Sequence, residues 1–166
     1  MLTLDLIALA LAVALPVGMA VLGTVLAGSA LKDWFVHLQG PRWQLPLWAF
    51  IAVGALGYLL DAVILYRLMT VVDDLGGRVV ALTALVVVML YNELWNYAFI
   101  GRRSTYAGWI GVLAFLAPLA ILQVALAVYD RPSAILILIY VVWVVAYDVP
   151  WSYALWRLNP DRSTSG

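Results

Sequence analysis

Residues 85–104 read LVVVMLYNELWNYAFIGRRS. As far as Leu90 the side chains are almost pure hydrocarbon. Asn92, Glu93 and Asn96 then arrive among Tyr91, Trp95, Tyr97 and Phe99, and Arg102 and Arg103 follow at once. A segment apolar enough to enter a bilayer thus carries a carboxyl and two amides near one end. Lipid offers such groups no partners, so they must face protein or a cavity. Asn92, Trp95, Asn96 and Phe99 stand at i, i+3, i+4 and i+7, which is one face of a helix, with Glu93 beside it.

The composition agrees with that reading. The chain has 166 residues, 66% of them hydrophobic and 11% charged, and its mean hydropathy is +1.03. A water-soluble core cannot hide that much apolar surface, so the expected class is an all-α integral membrane protein. There is no cysteine, which excludes disulfides, thiol chemistry and cysteine metal sites. The single histidine, His37, leaves no basis for a histidine metal site, and no metal is expected. Net charge is zero and no basic run occurs, so no nucleic-acid partner is expected.

Five apolar blocks are each long enough to cross about 30 Å of hydrocarbon. They run over residues 7–27, 48–68, 79–100, 106–128 and 134–156. Together they make a single five-helix transmembrane domain over residues 1–166, with the first block retained rather than cleaved. Polar turns are read at Asp73–Arg78, Gly101–Ser104 and Asp130–Ser133, a long loop at 31–46, and a flexible tail at 159–166. Lys32, Arg42, Arg102, Arg103, Arg157 and Arg162 lie on the side of the long loop, against Arg67, Arg78 and Arg131 on the other. That bias puts the first loop and the C-terminus in the cytoplasm and the N-terminus outside.

Seven of the eight tryptophans (34, 43, 48, 95, 109, 151 and 156) fall at the end of the long loop, and Trp143 lies deeper. Either the interfacial belt is lopsided or the rings wall a cavity that suits a flat, largely apolar guest. Further polar stripes exist. Tyr140, Trp143, Val144, Tyr147 and Trp151 align on the fifth block with Asp148 on the flank, and Gly54, Tyr58 and Asp61 align on the second. Counted along the helices from the long-loop end, Glu93 and Asp148 both lie about 10–12 Å deep and Asp61 about 20 Å, so Glu93 and Asp148 are candidates to meet. For the amides, ligand contact and helix-to-helix bonding stand level, while for Asp61 the structural bond is favoured. A proton relay through the three acids is a further reading. Gly23 and Ala27 form a small-xxx-small pair that serves either the bundle or a dimer.

The order and spacing resemble a known family. The long loop reads Trp34-Phe35-x-x-Leu38-x-x-Pro41-x-Trp43-x-x-Pro46-x-Trp48-x-Phe50. Asn92-x-Leu94-Trp95-x-x-x-Phe99-x-Gly101, Tyr140-x-x-Trp143 and Trp156-Arg157-Leu158-Asn159 follow in order. This resembles the TspO/translocator protein family, the tryptophan-rich sensory proteins also called peripheral benzodiazepine receptors. The resemblance implies a five-helix bundle, often a homodimer, with the 31–46 loop as lid over a pocket. It implies binding of a porphyrin, with sterols or isoquinoline drugs as further ligands and no required cofactor, in a sensor or carrier.

By position the pocket would use Trp43, Trp48, Tyr58, Asn92, Trp95, Trp143 and Tyr147, to which the acids Glu93 and Asp148 are added here. Val149, Tyr153 and Arg157 fit a sterol-contact pattern. Alternative functions are a porphyrin-photodegrading enzyme and a proton-coupled small-molecule transporter using Asp61, Glu93 and Asp148. The sequence departs from the family pattern at four places. Leu45-Pro46 stands for a double proline, Gly54 for a second-helix tryptophan and Tyr97 for a proline, and Asp148 and Pro150 displace a Leu-Asn pair with one residue inserted. These departures suggest a guest that is bulkier or more cationic.

Overall fold

The computed structural model describes residues 2–161. Helix α1 (Leu2–Ala27) stops at Gly28, whose φ of +55° is the left-handed conformation that closes a helix without a Cβ clash. A short helix α2 (Ala30–Asp33) and a 3-10 turn (Phe35–His37) then give the long loop a folded first half. Next come α3 (Leu47–Thr70), α4 (Leu75–Asn96) and α5 (Thr105–Tyr129). The last span consists of α6 (Arg131–Trp143) and α7 (Val149–Leu158). Five helical segments, Asp5–Ala27, Leu47–Thr70, Leu75–Gly101, Thr105–Tyr129 and Arg131–Leu158, are long and apolar enough to cross a membrane.

Two expected turns are mostly helix. The residues from Leu75 to Arg78 belong to α4, because the Asp74 carboxylate accepts the Gly77 N–H at 2.6 Å and caps the first turn. Likewise only Asp130 lies outside helix between α5 and α6, and Pro132 sits in the first turn of α6, where its missing N–H costs nothing. The first residues of the expected flexible tail make hydrogen bonds to the rest of the chain. Asn159 exchanges hydrogen bonds with the Gln39 backbone at 2.9 Å in both directions, and the Asp161 carboxylate accepts the Thr105 N–H at 2.9 Å. Residues 162–166 lie outside the described residues.

Two of the spans contain a π turn. Tyr97–Gly101 ends the third span, and Val144–Asp148 joins α6 to α7. A π turn absorbs one extra residue in a helix that otherwise continues. The second one includes Asp148, the position at which the resemblance suggests one inserted residue. Pro150 follows immediately and has no N–H to give to the carbonyl of Ala146.

Packing divides the bundle into a solid end and a hollow end. Away from the long loop, Ile64, Leu65 and Leu68 of α3 meet Ala81 and Leu85 of α4 and Leu119, Leu122 and Leu126 of α5, nearly all of them fully buried. Interdigitated side chains hold this end by dispersion, since lipid tails supply no hydrophobic drive between helices. The helices pack most closely where α4 meets α5 and α1 meets α3, whereas α3 meets α6 only sparsely. At the loop end that sparse seam opens into a cavity.

Candidate functional site

The cavity has a volume of about 260 Å³. On α3 its wall is Leu47, Phe50, Ile51, Gly54, Gly57, Tyr58 and Asp61, a run with helical period. A Cβ at Gly54 or Gly57 would meet nothing within 4 Å, so these glycines leave open space rather than permit close helix packing. The third span contributes Val88, Met89, Asn92, Trp95, Asn96 and Phe99. The fifth contributes Tyr140, Trp143, Asp148 and Trp151, with Phe115 from α5 and Leu31 and Phe35 from the lid.

Glu93 organises the polar side of this wall from behind. It is 1% exposed and does not itself line the cavity. The Tyr58 hydroxyl donates to its Oε1 at 2.6 Å, and the amides of Asn92 and Asn96 donate at 3.3 and 3.2 Å. Those three donors sit on two spans, so the carboxylate couples α3 to α4 and orients the two amides that face the void. On the far side it abuts Gly23 of α1. Gly23 therefore serves the bundle interior, which settles one member of the small-residue pair.

Glycines of α5 seat the rings of the third span. A Cβ at Gly108 would fall 2.6 Å from Phe99, and one at Gly111 would fall 2.6 Å from Trp95. The Trp95 indole N–H donates to the Gly108 carbonyl at 2.8 Å, which fixes the ring against that helix. Beneath the lid, Trp151 is 2% exposed, with its ring 4.9 Å from Phe50 and 5.9 Å from Phe99. Phe35 packs into the same cluster edge-on to Phe99 at 5.8 Å. The lid is held to the fifth span by polar bonds as well. The Leu45 N–H donates to the Tyr147 hydroxyl at 2.9 Å, and the Trp151 indole N–H donates to Gln44 at 3.3 Å.

The expected site residues separate into groups. Tyr58, Asn92, Trp95, Trp143 and Asp148 line the cavity. Tyr147 stands behind Trp143, stacked on it at 4.5 Å, and Trp43 meets Tyr147 edge-on at 5.5 Å while remaining half exposed. Trp48 is 71% exposed and points away, because it lies off the α3 stripe that carries Leu47, Phe50 and Ile51. The suggested meeting of Glu93 with Asp148 does not occur. Glu93 is engaged by Tyr58 and the amides, whereas Asp148 is approached by the Trp143 indole. Equal depth along two helices does not set the direction in which each points.

Asp61 is also placed differently from expectation. It lines the cavity and takes no hydrogen bond from any described group, so it does not bond helices together. Sequence reasoning did not number Phe35, Phe50 and Phe115 among the pocket residues, whereas Tyr140 and Trp151, read there as one stripe with Trp143, line the cavity with it. The period-3.6 run from Leu47 to Asp61 was the signal available for Phe50 and Asp61; nothing local marks Phe115.

The tryptophans divide. Trp95, Trp143 and Trp151 line the cavity, whereas the half-buried Trp109 and Trp156 stack at 5.0 Å with an interplanar angle of 3° away from it, flanked by the exposed Tyr106 and Tyr153. Of the sterol-contact pattern, Tyr153 and Arg157 are exposed and Val149 packs partly against the core.

Comparison with curated protein sequences gives no match. Comparison with protein families gives the TspO/MBR family over residues 12–157. That range takes in three spans whole, most of the first and all but the last residue of the fifth, with the long loop and every residue of the cavity wall, and so this chain belongs to the TspO/MBR family.

Proposed function

We propose that this protein is a membrane receptor or carrier whose cavity holds a flat, largely apolar ring molecule, a porphyrin being the guest that the family resemblance suggests. The observation that supports this reading is the wall itself: among the described residues nine aromatic side chains converge on one void, two of them tyrosines, with Asp61, Asn92, Asn96 and Asp148 as the further polar side chains. Flat π faces gain contact area with a flat guest, and a few fixed polar groups orient it. A sterol fits the same description less well, since its fused rings are not planar throughout, whereas a flat isoquinoline ring fits it.

Size bears on how a guest enters. About 260 Å³ is just under the ~300–1,000 Å³ usual for drug-sized ligands. Gly54 leaves a gap, yet the void is not enlarged beyond ordinary sites, so a bulkier guest is not favoured. A whole macrocycle requires the lid or the α3–α6 seam to yield. The proposed lid side is cytoplasmic, from its excess of Lys and Arg.

Protoporphyrin dimethyl ester, whose arms carry no charge, titrated into protein in phosphatidylcholine nanodiscs, with tryptophan fluorescence as readout, tests the reading. Saturable quenching at micromolar ligand is expected. Quenching that rises linearly and equals that of a control membrane peptide overturns it.

A further inference from the structure

We propose that the cavity selects a ring ligand bearing a positive charge, and that Asp61 and Asp148 are the residues that confer this selectivity. The proposal rests on the cavity being a ligand site and names the charge of what it takes.

The argument begins with how this protein treats its other buried acids. Glu93 is met by three hydrogen-bond donors. Asp130 is met by the Arg67 guanidinium through two bonds and by the Ser133 hydroxyl. Asp61 and Asp148 break that pattern. Asp61 takes no hydrogen bond from any described group, and Asp148 has only the Trp143 indole in approach. Both carboxyls line the void, and among the described residues no Lys, Arg or His does so. They stand on different spans, one on α3 and one at the π turn of the fifth span, and both border the same void.

A carboxyl in a medium of low dielectric constant carries a large desolvation penalty in its charged form, so it either holds its proton or gains from a cation beside it. The described residues supply no such cation here. A guest with an ammonium or ring-nitrogen charge would supply it. The rings of Tyr140 and Trp143 add to the same preference, because the negative face of an aromatic ring attracts a cation, most strongly where water is excluded. A guest with carboxylate arms meets the opposite situation: two acids of like charge and no basic side chain to receive it. Asn92 and Asn96 give no compensation, since each already directs its amide N–H toward Glu93.

A series with one ring and three charges tests the proposal. The probes are 9-aminoacridine as cation, acridine as neutral ring and acridine-9-carboxylate as anion, titrated at pH 7.5 into protein in phosphatidylcholine nanodiscs. The expected order is cation, then neutral ring, then anion, with the cation about tenfold or more tighter than the neutral ring. In Asp61→Asn/Asp148→Asn the cation-to-neutral affinity ratio is expected to collapse toward one. Equal affinities in the wild-type protein, or tightest binding of the anion, overturn the charge selectivity and leave the ring-binding cavity standing. A cationic preference that survives the double substitution overturns its assignment to these two residues. Saturable binding by none of the three overturns the ring-binding reading and this proposal with it. The wild-type series decides the selectivity even where the double variant does not fold, and the single variants then carry the assignment.

Discussion

Gly23 of the first span and Glu93 of the third occupy complementary space: a Cβ built at Gly23 would collide with Glu93 Oε2. The carboxylate behind the cavity wall therefore abuts a residue that has no side chain, 70 positions earlier in the sequence. Tyr58, Asn92 and Asn96 then fix its oxygens from the remaining sides. The arrangement explains why a glutamate is tolerated at this depth.

Gly23→Ala is expected to destabilise the protein by about 1–3 kcal/mol, since backbone helix or buried carboxylate must shift to relieve the overlap. That outweighs the ~1 kcal/mol by which alanine normally improves a helix over glycine. Gly18→Ala is the control. Its Cβ would meet nothing within 4 Å, so it is expected to be neutral or slightly stabilising. Thermal unfolding of both variants in one detergent makes the comparison.

Gly54→Trp places an indole where the wall has no side chain. The expected outcome is retained thermal stability with ring-ligand affinity lowered by about tenfold or more, because the indole fills the space a guest needs. Unchanged affinity in the fluorescence titration would separate the binding site from this cavity.

At the solid end, Arg67 donates from Nε at 3.0 Å and from its terminal nitrogen at 2.8 Å to Asp130, which is 5% exposed. Burial pushes the Asp130 carboxyl up, but hydrogen bonds from Arg67 and Ser133 outweigh it and hold the group below the usual carboxylate range. Arg67→Met is expected to cost about 1–3 kcal/mol. That is less than the ~3–5 kcal/mol for a fully buried pair, because the Arg67 side chain is 29% exposed and solvent screens it. Arg67→Met/Asp130→Asn is expected to recover part of the loss, as a double-mutant cycle read by chemical denaturation would show.

The C-terminal segment has its own pH signature. Burial raises the Asp161 carboxyl, yet hydrogen bonds from Ser104 and Thr105 prevail and hold it below the usual range. A depressed folded value means the contact contributes fully above the unfolded value of about 4 and is lost as pH falls through the folded one. Asp161→Asn is therefore expected to speed amide exchange at Thr105 at neutral pH, with the difference from wild type fading below about pH 4. Asn159→Ala is expected to speed exchange at Gln39 without that pH dependence, since its amide does not titrate.

Much of this architecture is legible along the chain. Five spans of hydrocarbon with short connections follow from composition and length, because the bilayer sets how many apolar residues a crossing helix needs. The stripe Asn92, Trp95, Asn96, Phe99 faces the cavity as its spacing requires. Helix ends were less legible: Asp74 and Asp130 look like members of polar turns, and only their capping positions show that helix begins one residue later.

Local order thus determined the number of spans, their apolar character and the faces on which polar groups cluster. The tertiary structure alone decided which of those groups meet. Trp48 and Phe50 are two residues apart and read alike, yet one faces outward and the other the void, because the rotation of α3 is set by packing against α1 and α4. Glu93 found Tyr58 and Gly23 rather than Asp148, and Asp61 was left facing open space. A helix has one periodicity but any azimuth about its axis, and only contacts between distant segments choose among them.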